Sequence, residues 1–211
     1  RTVLREAVAN RQHDAGWLDN FTGRYSTFLN PHAHRPCEEV WYPLLPYAWE
    51  ILTDSRNDKD QLTTRARNAL LTQLLQDLTR ICTDPMGTMF SEGRGVGEAL
   101  LVAIREIRQG LETGGTRRYS EFVFGEVSGG LMTALNQYPV LGRLIATVFS
   151  NWLYAQRLFL SRLTESRLVI EESFGISSAE PVIDLFLGKG DPHRGGQSVS
   201  VAVFQGEKKL V

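Results

Sequence analysis

The apolar residues of this 211-residue chain change their spacing near residue 175. Before that point they recur at steps of three and four, which is the period of an amphipathic helix. After "SFGISSAEP" they alternate, most clearly from Ser198 to Phe204, which is the period of a strand. The sequence therefore predicts an α+β fold that is mostly α, with a helical region at 1–178 and the start of a second unit at 179–211.

Two predicted helices have well-defined apolar faces. The first covers Gln61 to Cys82, with Asp58 or Asp60 as its N-cap, and its face consists of Leu71, Leu74, Leu75, Leu78 and Ile81. The second follows "NQYP", where Pro139 suits a first helical turn. Its stripe consists of Leu141, Leu144, Ile145, Val148, Trp152, Ala155 and Phe159.

Weaker patterns complete the predicted elements. Further helices are expected at Thr2 to Gln12, Trp17 to Leu29, Glu38 to Leu52, where Pro43 and Pro46 interrupt, and Gly97 to Leu111. Glycine and threonine predict loops at Met86 to Gly97 and Thr113 to Arg118. Strands are expected at Val182 to Leu187 and Ser198 to Phe204, followed by a turn at Gln205 to Glu207 and a returning strand at Lys208 to Val211.

Composition excludes several classes of function. The net charge of −1 and the pI near 6.5 give no basic field for nucleic acid or an anionic membrane. The longest uncharged apolar run, Leu144 to Gln156, falls short of the ~20 residues that a membrane span needs.

Without a visible signal peptide, Cys37 and Cys82 are predicted to be free thiols in the reducing cytoplasm. A first residue other than Met, and a last residue within a predicted strand, suggest a piece of a longer protein.

Other candidate sites are weaker. His32, His34 and Cys37 offer three zinc ligands where a structural site needs four, so no metal site is predicted. "GRGVG" lacks the spacing of a dinucleotide-binding loop and follows no predicted strand. Core packing is the expected role for most of the tryptophans, Trp17, Trp41, Trp49 and Trp152.

The stretch "KGDPHRGGQSVSVAVF", Lys189 to Phe204, has two interpretations. It is typical of a polar hairpin turn that Asp191 and Pro192 begin and two glycines relax. The order of strand, glycine-rich turn, alternating strand, turn and strand is also that of a kinase-like flap over nucleotide phosphates. His193 adds a group that can exchange a proton near neutral pH, and Asp191 is near enough in sequence to orient it or help hold a cation.

Two segments resemble the LanM family, the class II lanthipeptide synthetases. "GDPHRGGQSVSVAVFQGEKKLV" is similar to the start of that family's dehydratase core, and "YPVLGRLIATVFSNWLYAQRLFLSRL" to the helix before it. The resemblance implies a helical block leading into the first strands of a lipid-kinase-like N-lobe. The enzyme that it implies phosphorylates Ser and Thr of a precursor peptide, with ATP and magnesium, and then eliminates the phosphate.

The resemblance also implies roles for single residues. The family's Asp-x-His motif falls on Asp191 and His193, which become the expected catalytic pair. Its glycine turn falls on Gly195 and Gly196, so the expected nucleotide contacts are Gly195, Gly196, Gln197 and Ser198. Gln197 stands where relatives often show Arg, and it keeps a hydrogen-bond donor without the fixed charge, which Lys189 or Arg194 could supply.

The remaining expectations concern parts outside these 211 residues. The resemblance places the nucleotide-binding lysine, the magnesium ligands and the catalytic loop downstream of Val211, and zinc in a separate cyclase half. Lys208 and Lys209 are interpreted as solvated charges. The expected partners are a precursor peptide with its leader and the rest of the synthetase. The alternative hypothesis is a helical peptide-binding or scaffold module without catalysis of its own.

Overall fold

A computed structural model describes residues 36–53, 61–91, 114–191, 193 and 195–211. The chain forms two compact units, each built from two stretches. The first unit comprises Arg1–Tyr47 and Leu75–Ala146, and the second comprises Ala48–Leu74 and Thr147–Val211. The domain border that the sequence suggests at residues 178 and 179 stays a prediction.

The described elements are mostly helical and end in three short strands. A 3-10 helix, Glu38–Trp41, precedes helix α1 at Leu44–Thr53. The other helices are α2 Thr64–Ser91, α3 Gly114–Gly125, a π-helical turn Glu126–Gly130, α4 Leu131–Gln137, α5 Pro139–Glu165 and α6 Arg167–Phe174. The strands are β1 Asp184–Phe186, β2 Val201–Val203 and β3 Lys209–Leu210, with a 3-10 turn Gln205–Glu207 between the last two. The predicted class, α+β and mostly α, is confirmed.

Helix α2 differs from its prediction at both ends. It begins after Thr63, whose hydroxyl accepts from the Ala66 N–H at 3.4 Å, so neither predicted aspartate starts it. It then continues through Pro85 to Ser91, so the loop predicted from Met86 is wrong as far as Ser91. The physical reason is an apolar stripe at steps of four, Leu78, Cys82, Met86 and Phe90, which is buried and outweighs the proline.

Helix α3 replaces the loop predicted at Thr113 to Arg118, from Gly114 onward. Its first residues are poor helix formers, but Tyr119 and Val123 are fully buried one turn apart, and tertiary packing overrides local propensity. The π-helical turn follows directly, and a side chain at Gly130 would place its Cβ 2.8 Å from the Gly125 carbonyl oxygen. Glycine at this position is therefore required by the close approach of the backbone.

Helix α5 confirms the second predicted helix, with Pro139 as its first residue. Trp152 and Ala155 of the predicted stripe are buried, but Leu144 is 47% exposed and does not belong to the core. Two hydrogen bonds tie α5 to other helices of the second unit. The Trp152 indole N–H donates to the Leu70 carbonyl of α2 at 3.2 Å, and the Arg157 guanidinium donates to the Ile51 carbonyl of α1 at 2.9 Å.

The C-terminal strands form one antiparallel sheet in the order β1–β2–β3. The predicted strands, the turn at Gln205 and the returning strand are confirmed, with shorter strands than the alternation suggested. Leu185, Ala202, Val203 and Phe204, in the sheet or directly after β2, are buried and contribute to the core of the second unit.

Other predictions have mixed outcomes. The interruption by Pro43 is confirmed, because the 3-10 helix ends before it and α1 begins after it, but the interruption by Pro46 is wrong, because Pro46 lies in the first turn of α1, where a missing N–H is tolerated. Cys37 and Cys82 are free, buried thiols. Trp41 and Trp152 are buried, whereas Trp49 is half-buried with the Arg67 guanidinium 4.9 Å from its ring centroid.

The helices predicted before Arg35 and at Gly97 to Leu111, with Trp17, His32, His34 and "GRGVG", lie outside the described residues. In the part of the chain that is described, no helix has the length and apolar character to cross a membrane.

Candidate functional site

The connection between β1 and β2 carries the predicted site residues. Register pairs Asp184 with Val203 and Phe186 with Val201, so the intervening segment projects from one end of the sheet as an extended hairpin. The Lys189 N–H donates to the Val199 carbonyl at 3.0 Å and holds the base of this projection together. The sheet therefore positions the predicted motif at the far end of a hairpin.

Two backbone hydrogen bonds close the tip of the hairpin. The His193 N–H donates to the Gln197 carbonyl at 2.7 Å, and the Gln197 N–H donates to the His193 carbonyl at 2.8 Å. Gly195 and Gly196 lie inside this ring with φ of +79° and +92°, a region that disfavours residues with a Cβ. The sequence requirement for two glycines therefore follows from the tightness of the turn. We call the segment from Asp191 to Gln197 the glycine turn.

The glycine turn lies against the middle of helix α5. A Cβ added at Gly195 would lie 3.5 Å from the Asn151 side-chain oxygen Oδ1, and one added at Gly196 would lie 3.5 Å from the Asn151 Cβ. These are ordinary contact distances, so the backbone of the turn passes over Asn151 with room for about one methyl group. Sequence reasoning missed Asn151, because only the tertiary contact identifies it among the polar residues of the helix.

The predicted catalytic pair is exposed at the turn. Asp191 and His193 both face solvent, and within the described residues no hydrogen bond joins the carboxylate to the imidazole. That Asp191 orients His193 stays a prediction. Gln197 and Ser198 are half-buried beside them, and Arg194 lies outside the described residues. An exposed acid and an exposed imidazole two residues apart can exchange protons with a bound substrate.

An apolar surface lies beside the base of the hairpin. Phe186 and Val199 are 42% and 46% exposed, and the Lys189 ammonium lies 5.8 Å from the Phe186 ring centroid. This cation–π contact places the Lys189 charge next to the aromatic ring. That Lys189 supplies the charge of the arginine that relatives often show at position 197 stays a prediction.

Three contacts anchor β1 to the start of α2. The Thr63 N–H donates to the Val182 carbonyl at 3.0 Å, and the Val182 N–H donates to the Gln61 carbonyl at 2.8 Å, in a short parallel bridge. The Arg65 guanidinium then pairs with the Asp184 carboxylate at 2.6 Å. The hairpin that carries the glycine turn is therefore attached to two helices, α2 at its base and α5 at its tip.

The first unit contains a second group of titratable side chains, which are buried except for the half-buried Glu126. The Tyr119 hydroxyl accepts from the Cys37 N–H at 2.8 Å and donates to the Glu39 carboxylate at 2.8 Å. Burial raises the pKa of Cys37 to about 12, with a smaller contribution from the Glu39 charge, and burial alone raises the pKa of Cys82 to about 12. Burial likewise raises the pKa of Tyr119 and of Glu126. We call Cys37, Glu39, Cys82, Tyr119 and Glu126 the buried cluster.

The buried cluster has the properties of a structural network. Its hydrogen bonds join the 3-10 helix to α3, and both thiols are protonated at neutral pH because their pKa is so high. Among the described residues there is no group of three or more His, Cys, Asp or Glu side chains arranged to hold a metal ion. The exposed glycine turn is the better candidate for chemistry.

Comparison with protein families gives a match to the C-terminal part of the chain. Residues 138–211 match a family described as a domain of unknown function, DUF4135. The matched segment contains α5, α6, the whole sheet and the glycine turn with Asn151. A search of curated proteins finds no match to this chain.

Proposed function

We propose that this chain is the N-terminal part of the dehydratase of a lanthionine synthetase. The proposal is supported by the match at 138–211, because that domain is associated with LanM-like lanthionine synthetases. In this role the protein uses ATP to phosphorylate Ser and Thr of a precursor peptide, and then eliminates the phosphate to give dehydroamino acids. The proposed partners are the precursor peptide with its leader and the rest of the synthetase, and the proposed location is the cytoplasm.

The observation that carries the proposal is the glycine turn. It presents an exposed carboxylate and an exposed imidazole at the tip of a hairpin whose glycines have positive φ. A turn that only reversed the chain accounts for the glycines and for Asp191, but it does not need His193. A turn that handles a phosphorylated substrate needs close backbone approach and a proton-exchanging group, and this turn has both.

The residues present fit part of an ATP site. Exposed glycine backbone at Gly195 and Gly196 can approach phosphate oxygens, and Asp191 is an oxygen donor of the type that magnesium prefers. When bound, MgATP supplies the phosphoryl group and offsets the negative charge that develops during its transfer. No described residue is proposed as one of the remaining magnesium ligands or as the phosphate-binding lysine. The zinc-dependent cyclase is proposed to lie outside this chain.

The second step is where His193 acts in this proposal. Elimination removes the Cα proton of the phosphorylated residue, the C–H electron pair becomes the Cα=Cβ bond, and the Cβ–O bond breaks with its electrons leaving on phosphate. The Cα must lose a proton, and the phosphate leaves more readily when it receives one. A nearby group that can accept and donate a proton therefore assists the step. His193 is that group in the glycine turn, and Asp191 sets its orientation when substrate is bound.

The test is His193→Ala in the full-length enzyme with its precursor peptide. A positioned proton-transfer group contributes about 10²–10⁴-fold. We therefore expect phosphorylated peptide to accumulate, at unchanged ATP consumption, because only elimination is lost. Mass spectrometry separates the phosphate adduct from the dehydrated product. Asp191→Ala should act in the same direction or weaken both steps.

Lys209→Ala is the matched control, since Lys209 is an exposed charge in the same sheet. It should leave both steps unchanged. Unmodified peptide without phosphate adducts in His193→Ala would move the residue to the kinase step. Normal dehydration in that variant would restore the interpretation of a plain turn, and no ATP consumption by the wild type would favour the peptide-binding module.

A further inference from the structure

Asn151 is an unusual residue for its position in helix α5. It lies near the middle of the 27-residue helix Pro139–Glu165, where asparagine is a poor helix former because its side chain competes for backbone hydrogen bonds. Its side chain is half-buried, and no hydrogen bond in the described part of the chain uses its carboxamide. The helix thus carries a residue that is a poor helix former and whose carboxamide has no hydrogen-bond partner among the described residues.

The carboxamide lies at the glycine turn. The Asn151 Oδ1 is 3.5 Å from the position of a Cβ on Gly195, and the Asn151 Cβ is 3.5 Å from the corresponding position on Gly196. Both glycines are exposed, and no hydrogen bond among the described residues uses their N–H groups. Asn151 and the two glycines are thus in contact at the glycine turn, and in the described chain neither the carboxamide nor the two backbone N–H groups have a hydrogen-bond partner.

We propose that Asn151 is a phosphoryl-binding residue, which adds a hydrogen-bond donor from helix α5 to the site at the glycine turn. Its carboxamide NH₂ donates to a phosphate oxygen while the Gly195 and Gly196 N–H groups donate from the turn. Hydrogen bonds to a charged acceptor are stronger than those between neutral groups, which suits a phosphoryl ligand. The inference rests on the proposed function and adds a residue from another element to its site.

Two phosphoryl groups share this chemistry in the proposed reaction. One is the terminal phosphate of ATP, and the other is the phosphate monoester on the Ser or Thr of the peptide. The two are separated by assaying each step alone. In one arm the enzyme receives unmodified precursor peptide and MgATP, and formation of phosphorylated peptide is followed. In the other arm it receives a synthetic phosphoserine peptide with ADP and magnesium, and release of inorganic phosphate is followed.

Asn151→Asp is the most informative variant. Aspartate has the shape of asparagine and packs as it does against the glycines, but it replaces a donor with an anion that repels phosphate. Asn151→Ala removes the donor without adding a charge. We expect Asn151→Ala to lower the affected step about 10–100-fold, the equivalent of one lost hydrogen bond to a charged group, and Asn151→Asp to lower it further.

The control is Asn136→Asp, which adds the same charge at an exposed asparagine of helix α4 in the first unit. It should leave both arms unchanged. A loss in the phosphoserine arm alone identifies the peptide phosphate as the ligand, and a loss in the ATP arm alone identifies the nucleotide. Either result, or a loss in both arms, supports the inference provided that Asn151→Asp loses more than Asn151→Ala.

Three outcomes count against the inference. Both variants within twofold of the wild type in both arms would exclude contact with phosphate. Equal losses for alanine and aspartate, in proportion to lowered melting temperatures, would make Asn151 a structural support for the turn. If Asn151→Asp does not fold, wild-type rates in Asn151→Ala would be decisive against it. A wild-type enzyme inactive in both arms would instead overturn the proposed function, and with it the premise of this inference.

Discussion

The buried cluster of the first unit and the glycine turn of the second unit differ in how their titratable groups are surrounded. Cys37 and Tyr119 are buried and hydrogen-bonded, and their pKa values are raised by burial. Asp191 and His193 are exposed, and their side chains have no partner among the described residues. A strongly shifted pKa is often used as a sign of an active site. Among the described residues the largest pKa shifts belong to buried groups, so solvent access and backbone geometry are the better guide to the active site.

The largest effect is expected in the rate at which the two buried thiols, Cys37 and Cys82, react with an alkylating reagent. Because the pKa of both Cys37 and Cys82 is about 12 instead of 9.0, the thiolate fraction near pH 8 should be lower by about 10³-fold in the folded protein. Alkylation by iodoacetamide, followed by peptide mapping of the full-length protein, should show both sites protected in buffer and reactive in guanidinium chloride. Equal rates in the two conditions would show that the cluster is open to solvent and would remove the contrast with the glycine turn.

A medium effect is expected for Tyr119→Phe. The change removes the hydroxyl that bridges the Cys37 N–H and the Glu39 carboxylate, and two buried groups lose a partner at about 1–3 kcal/mol each. Urea denaturation should therefore show a loss of about 2–6 kcal/mol. Tyr154→Phe, at a tyrosine that is 58% exposed, should change stability little and is the control.

Tyr119→Phe also tests whether the buried cluster, unlike the glycine turn, takes no part in the reaction. If the buried cluster is structural, Tyr119→Phe should leave the ratio of phosphorylated to dehydrated peptide unchanged, whereas His193→Ala should change it. A shifted ratio in Tyr119→Phe would mean that the cluster takes part in the chemistry.

The smallest effect concerns Glu126. Burial raises the pKa of this carboxyl, and one of its oxygens, Oε2, is buried without a hydrogen-bond partner. A carboxyl whose pKa is raised in the folded state favours folding when protonated, and that contribution is lost as pH rises from the ordinary carboxyl pKa through the raised one. Glu126→Gln cannot ionise, so it should be more stable than the wild type at pH 8, with a difference that disappears toward pH 4. Thermal unfolding at several pH values measures this, with exposed Glu172→Gln as a control that should show no such trend.

Much of the fold follows from apolar spacing alone. The stripe of α5 and the alternation in β2 predicted a helix and a strand where the structure has them, although in β2 the adjacent Ala202 and Val203 are both buried while Val199 is 46% exposed. The errors came where packing outweighed a local signal. Pro85 lies inside α2 because the buried residues at steps of four continue to Phe90, and the glycines before Tyr119 are helical because that tyrosine is anchored by hydrogen bonds.

The candidate site was predictable in its sequential part and not in its spatial part. Asp191, His193 and the two glycines are close along the chain, so residue types were enough to select them. Asn151 lies 44 positions before Gly195, and no spacing rule joins a helix residue to a distant turn. The roles of Gln197 and Ser198 stay predictions, since their half-buried positions beside the turn suit several contacts.

The short bridge between Gln61–Thr63 and Val182 has a consequence for how the protein can be divided. Thr63 and Ile183, which also share a hydrogen bond, are 120 positions apart, so this edge of the sheet is completed only after nearly all of the chain is available. A fragment that began at residue 138, where the family match starts, would keep all three strands but lose this partner and the Arg65 ion pair. The region that matches the family therefore leaves out residues that complete the edge of its own sheet.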